Sequence, residues 1–279
     1  MRKRWMAMLA VTLSVVTLFT ACGTKNSGGS DLADGEEVFR VGMECAYAPF
    51  NWTQLDSSNG GVAIDGVSEF AGGYDVEIAK KIADGLGKKL VIVKTEWDGL
   101  LPALTSGKID AIIAGMSPIA ERKEAIDFTD NYYKSNLVMV VKKGSAYENA
   151  TSIKDFSGAK VTAQLGTFHY NVIDQIEGVK KETAMDNFPS MRVALESGII
   201  DGYVSERPEG VSASTANENF VMVEFTDGFV TSDDDTAIAV GVKKGSDLTA
   251  KINEILSGIS EEDRTSIMDN AIKNQPAAN

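Results

Sequence analysis

The sequence predicts an α/β fold built as two similar lobes around a shared cleft, and three observations predict it. Short apolar runs suited to buried strands alternate with helical patterns, which implies a mostly parallel sheet with helices on its faces. Ser106-Gly107-Lys108-Ile109-Asp110 is echoed by Ser197-Gly198-Ile199-Ile200-Asp201, and each copy follows a short helical stretch and opens a strand. The first of these strands delivers Gly115, Ser117 and Arg122, and the second delivers Ser205 and Glu206. Polar groups at the ends of buried strands are where open α/β sheets place ligands.

The elements follow in order. Residues 39–43 read as a strand. Residues 74–86 read as a helix with Ile78, Ala79, Ile82 and Ala83 on one face, closed by Gly85 and Gly87. Residues 90–93 are a strand, and residues 99–106 a helix burying Leu100, Leu101 and Leu104. Strands are predicted over 109–114, 137–141, 160–164, 199–205, 220–223 and 237–242. Helices are predicted over 168–176, 190–196, 248–258 and 261–272.

The chain has 279 residues, with 27 basic and 40 acidic side chains and a net charge of −13. The first 21 residues hold three cations (Arg2, Lys3, Arg4) and no acid, so the chain after them is near −16. Nucleic-acid binding needs a basic footprint, and so does adhesion to anionic lipid; both are excluded. Some 240 ordered residues suffice for one large or two medium domains.

The N-terminus reads as a secretory signal: a positive start, an apolar run over residues 5–19, then Thr20 and Ala21 before Cys22. The run is too short for a comfortable membrane span. Residues 27–37, rich in Gly, Ser and Asp, read as a flexible tether. With Cys22 acylated, Cys45 has no internal partner and reads as a small buried side chain. A catalytic thiol needs a base, and the only histidine is His169. The sequence has no phosphate-binding Gly-Lys loop and no metal-ligand spacing, so no cofactor or metal is expected.

Three motifs carry a family likeness: GGYDVEIAKKIADGLG (72–87), WDGLLPALTSGKIDAIIAGMSPIAERKEAIDFTDNYY (97–133) and AQLGT (163–167). From about Val41 to the C-terminal helices the chain resembles the amino-acid-binding proteins that feed ABC importers. The resemblance implies a type II periplasmic-binding-protein fold. Lobe one would comprise 38–136 and 237–279, and lobe two 137–236, joined by two hinge strands. Cys22 resembles the acylated cysteine of a lipobox. That implies a signal peptide over 1–21, a lipid-anchored tether over 22–37 and an extracytoplasmic, membrane-anchored protein. The expected partners are a free amino acid and a permease driven by a cytoplasmic ATPase, with the protein itself a monomer.

An amino acid presents a carboxylate, an ammonium and a side chain. Arg122 offers a planar fork of donors for the carboxylate, with Ser117 and the Gly115 backbone beside it. Gly166 and Thr167, where a strand gives way to a helix, would complete that cradle from lobe two, followed by Phe168. Glu206 is assigned to the ammonium; the family most often has aspartate there, and Pro208 matches the family pattern. Tyr47, Phe50 and Trp97 would cover the ligand's body. Glu44 matches a position that meets the ligand side chain in family members, so a cationic ligand, arginine or lysine, is expected. His169 reads as structural or superficial. Two other classes stay open: a secreted dehydratase on the same fold, using Glu44 or Glu206 as general acid, and a ligand-binding accessory of a sensor.

Overall fold

The computed structural model describes residues 37–276. The expected signal peptide, Cys22 and all of the tether before Glu37 lie outside the described residues.

Two five-stranded sheets form the frame. The first runs, in spatial order, Lys89–Lys94, Val38–Met43, Ala111–Ile112, Ala237–Lys243, Ile126–Lys134. The second runs Lys180–Lys181, Lys160–Thr162, Gly202–Glu206, Leu137–Lys142, Phe220–Val223. In each, four strands run in one direction and one, Ala237–Lys243 in the first and Leu137–Lys142 in the second, runs against them. The sheets are mostly parallel, as the sequence pattern predicts, with one reversed strand in each. The physical reason is the route of the chain. Leu137–Lys142 and Ala237–Lys243 each enter a sheet from the opposite lobe rather than through a helical crossover.

The internal echo is reproduced atom by atom. Asp110 accepts from the Arg40 N–H at 2.8 Å and returns a bond from its own N–H to Arg40 O at 2.8 Å. Asp201 does the same with Lys160, at 2.8 Å each way. The strands that follow, Ala111–Ile112 and Gly202–Glu206, hold the same third place in their sheets.

Helix Tyr74–Leu86 buries Val76, Ile78, Ala79, Ile82 and Ala83 against the first sheet and ends at left-handed Gly87 (φ 66°). Burial of each large aliphatic chain contributes on the order of 1.5–3 kcal/mol. A small antiparallel sheet, Ala46–Tyr47, Asn51–Gln54, Phe70–Gly72 and Val62–Ala63, lies beside this helix. It carries the loop expected to cover a ligand. The apolar core is continuous across the lobes: Phe188, Met191, Leu195 and Tyr203 of the second belong to the cluster that contains Met43, Tyr47 and Phe50 of the first.

The chain crosses between sheets at Ser135 and Asn136, and it returns by way of the turn Asp233–Thr236. The two crossings lie side by side, with the Ser135 N–H donating to Thr236 O at 2.9 Å. Two short, adjacent crossings are the arrangement of a hinge.

Candidate functional site

The two sheets present the C-terminal ends of their parallel strands to one cleft. From the first lobe come Tyr47, Trp97 at the first turn of helix Trp97–Ser106, Gly115, Ser117, and Arg122 on helix Ala120–Ala125. From the second come Gln164, Thr167, Phe168, His169, and Phe188 opening helix Phe188–Glu196. Together they line a nearly filled cleft with a cavity volume of about 10 Å³.

Arg122 is the electrostatic centre of the cleft. Only 8 % of it is exposed, and among the described residues no carboxylate pairs with it. Its Nη1 donates to Ser117 O at 2.9 Å, and Nη2 donates across the cleft to Gly166 O at 3.2 Å. The Trp97 ring lies under it, with 5.1 Å between Cζ and the ring centroid. Burial pulls the guanidinium down to about 10, yet it stays charged at neutral pH. A buried guanidinium held only by carbonyls and an aromatic face is a strong site for an anion.

The cradle around Arg122 differs in part from the sequence expectation. The Gly115 N–H, expected to face a carboxylate, donates inward to Tyr132 Oη at 3.2 Å. Ser117 Oγ donates to Asp235 O at 2.9 Å. Thr167 Oγ1 donates to Gln164 O at 2.7 Å and caps no helix. Gly115 remains close to the site because its backbone is left-handed (φ 63°) and packs against the Tyr47 ring.

Behind the cleft wall stand two buried carboxylates that, among the described residues, pair with no lysine or arginine. Glu206 is 1 % exposed at the end of strand Gly202–Glu206, and among the described residues its Oε2 has no hydrogen-bond partner. Its Oε1 lies 3.0 Å from His169 Nε2, close but not aligned as a hydrogen bond. Burial, and then Glu209, push Glu206 up to about 8. Burial, and then Arg122, hold His169 down near 3, so the imidazole is neutral. Arg207, the neighbouring cation that could have claimed Glu206, pairs with Glu224 at 2.7 Å instead. Glu44 is 3 % exposed, with Gln164 Nε2 at 3.1 Å from both its oxygens. Burial chiefly raises it to about 7; the Gln164 bond opposes that rise, while Glu96 and Asp186 add to it.

Other expectations are corrected by position. Phe50 does not line the cleft: it is fully buried behind Tyr47, with ring centroids 4.9 Å apart. Glu44 and Glu206 lie one layer back, behind Gln164 and His169 respectively. His169 is buried in the cleft wall, not superficial, and packs on Phe168 at 4.3 Å. Sequence reasoning missed Phe188, which stacks on Tyr47 across the lobes at 4.3 Å and 5°. It also missed Gln164, although that residue sits inside a quoted motif. Cys45 is buried as expected, and burial chiefly lifts its thiol to about 12, so it is inert.

Two lobes joined by adjacent crossings, with a buried guanidinium in the cleft between them and buried carboxylates behind its wall, define a ligand-binding protein. Residues 39–271 match bacterial extracellular solute-binding proteins, family 3, and the chain belongs to that family. It is 33 % identical over 165 residues to the arginine-binding extracellular protein ArtP of Bacillus subtilis, covering 59 % of this chain and 57 % of ArtP. It is 31 % identical over 183 residues to a probable histidine-binding protein of Campylobacter jejuni, covering 65 % of each. The alignments thus span about three fifths of these relatives' length. Among solved structures it resembles an amino acid ABC transporter substrate-binding protein from Streptococcus pneumoniae bound to L-arginine. There the TM-score is 0.74, the identity 27 %, and the coverage 84 % of this chain and 93 % of that one.

Proposed function

We propose that this protein captures a free L-amino acid outside the cell, arginine or lysine foremost, and delivers it to an ABC permease driven by a cytoplasmic ATPase. The observation that carries the reading is Arg122, a buried cation that among the described residues has no carboxylate partner, in a cleft whose walls are backed by the buried acids Glu44 and Glu206. The ligand carboxylate takes the Arg122 guanidinium, and the ligand ammonium takes Glu206. The aromatic faces of Tyr47 and Trp97 cover the aliphatic stem.

A cationic side chain is favoured by Glu44. Its carboxylate meets one neutral amide, with Glu96 and Asp186 nearby. A guanidinium or ammonium replacing the Gln164 amide would exchange a neutral hydrogen bond for a charged one. Relatives whose names specify arginine support the same choice.

In this reading lobe one comprises 38–136 and 237–279, lobe two comprises 137–236, and crossings at Ser135–Asn136 and near Asp233–Thr236 flex as the cleft opens. Acylation of Cys22 would hold the protein at the outer face of the membrane as a monomer. A thermal-shift screen of residues 38–279 against the common amino acids tests the proposal, because a ligand bound only by the folded protein raises its melting temperature. Shifts with arginine and lysine alone support it. Shifts only with neutral amino acids overturn the role of Glu44, and no shift overturns amino-acid capture.

A further inference from the structure

The first lobe's ligand face is assembled from two separate pieces. One is the loop after strand Val38–Met43, which carries Tyr47. The other is the turn after strand Ala111–Ile112, which carries Gly115 and Ser117 and leads to Arg122. Their spacing must be tight: a Cβ on Gly115 would stand 2.6 Å from Tyr47 Cε1.

Between the two pieces lies Asp75, the second residue of helix Tyr74–Leu86, with no exposed surface. Its Oδ2 accepts from Asn51 Nδ2 at 2.8 Å, and its Oδ1 accepts from Tyr132 Oη at 2.7 Å. Each partner then reaches one of the two pieces. Asn51 Oδ1 accepts from the Cys45 N–H at 2.7 Å, and Tyr132 Oη accepts from the Gly115 N–H at 3.2 Å. An unbroken chain of hydrogen bonds therefore runs from the Cys45 amide to the Gly115 amide through one carboxylate.

Both ends of that chain are left-handed, Cys45 at φ 55° and Gly115 at φ 63°. A left-handed cysteine is disfavoured by its Cβ and persists only where its surroundings hold it. Helix Tyr74–Leu86 fastens the same loop through its backbone, since the Asp75 N–H donates to Phe50 O at 2.8 Å. A buried carboxylate without a cation is unfavourable, and burial raises Asp75 to about 6 against the Tyr132, Asn51 and Gly115 bonds that lower it. An apolar residue would fill this space without that penalty, so two-sided acceptance is what the carboxylate adds.

We propose that Asp75 is a positioning residue of the ligand site, setting the spacing between the Tyr47 loop and the Gly115 turn through Asn51 and Tyr132. The proposal rests on the reading of this cleft as the amino-acid site.

Amide hydrogen exchange at Cys45 and Gly115 and calorimetric titration with L-arginine test it. The proteins are wild type, Asp75→Asn, Tyr132→Phe and, as a core control in the same helix, Ile78→Val. Asp75→Asn should speed exchange at both amides and weaken arginine binding by about tenfold or more, the order of one charged hydrogen bond lost. Tyr132→Phe should speed exchange at Gly115 alone and weaken binding less. Ile78→Val should lower the melting temperature and change neither readout, which separates positioning from stability. Wild-type exchange and affinity in folded Asp75→Asn would overturn the proposal. Should Asp75→Asn not fold, unchanged exchange at Gly115 in Tyr132→Phe overturns it equally. A wild type that takes no amino acid would sink the ligand reading, while exchange at the two amides still decides the positioning.

Discussion

Gln164 Nε2 lies 3.1 Å from both carboxylate oxygens of Glu44, joining the second lobe to the first across the cleft. In the proposed reading, a cationic ligand side chain would replace this amide. Glu44→Gln removes the negative charge and leaves the volume. Arginine affinity should fall by at least about tenfold, with a smaller change for any neutral amino acid; isothermal titration against both classes measures the difference. Because Glu44 is raised to about 7 and must be ionised to grip a cation, arginine binding should also tighten between pH 6 and pH 8.

The same acids give the ligand-free protein a pH-dependent stability. Glu44 and Glu206 are raised from 4.5 to about 7 and about 8, so the folded state holds their protons where the unfolded chain releases them. Their stabilising contribution is complete below about pH 4.5 and lost as pH climbs through 7 to 8. Melting temperature should therefore fall between pH 5 and pH 8.5, by about 2–4 °C per kcal/mol lost in a chain of this size. Glu206→Gln should flatten that slope.

Arg122→Ala should abolish binding, weakening it by about 100-fold or more, because the ligand carboxylate would be left without its charged donor. The same change should leave the melting temperature of the ligand-free protein unaltered or higher. Among the described residues Arg122 is buried without a carboxylate partner, so relief of its desolvated charge offsets the loss of its bonds to Ser117 O and Gly166 O. Paired titration and melting experiments measure the two effects.

Gly115→Ala should reduce both stability and affinity. The residue sits at φ 63°, where a side chain is strained, and the added Cβ would overlap Tyr47. Chemical denaturation should register a loss of about 1–3 kcal/mol.

Cys22→Ala should move the protein from the membrane fraction to the soluble extracellular fraction. An unchanged distribution on cell fractionation would contradict the lipid anchor.

Much of the frame is legible in the sequence because its signals are local. The paired Ser-Gly-x-x-Asp motifs mark Asp110 and Asp201, and the apolar stripe of helix Tyr74–Leu86 needs only a 3.6-residue period. Strand Ile126–Lys134 was missed because only Ile126, Thr129 and Tyr132 are buried in IDFTDNYYK, which gives no clean alternation. Helix Arg207–Ala216 was missed because Gly210 and its serines speak against a helix, although Pro208 stands in the first turn, where proline is tolerated. Tertiary structure supplies its support, with buried Glu209 accepting from Arg192 Nη2 at 2.8 Å and from Tyr203 Oη at 3.0 Å.

The candidate site divides along the same line. Residue type at a strand end leaves Arg122 and Glu206 equally open to a surface role; the resemblance to the family pattern is what singles them out. Phe188 and His169 join the cleft only through partners brought close by folding, Tyr47 in one case and Glu206 in the other. Nothing local in NFPSM or GTFHY marks either. Phe50, an aromatic in a recognisable loop, supports Tyr47 from behind, a distinction that depends on which way the loop turns in the folded chain.

The most direct measurement is a calorimetric titration of residues 38–279 with L-arginine, repeated with a neutral amino acid. One-to-one binding of arginine with a Kd of about 1 μM or tighter, equivalent to roughly −8 kcal/mol, and markedly weaker binding of the neutral ligand are the predicted result. Saturable binding of the neutral amino acid, with no heat from arginine or lysine, would contradict it.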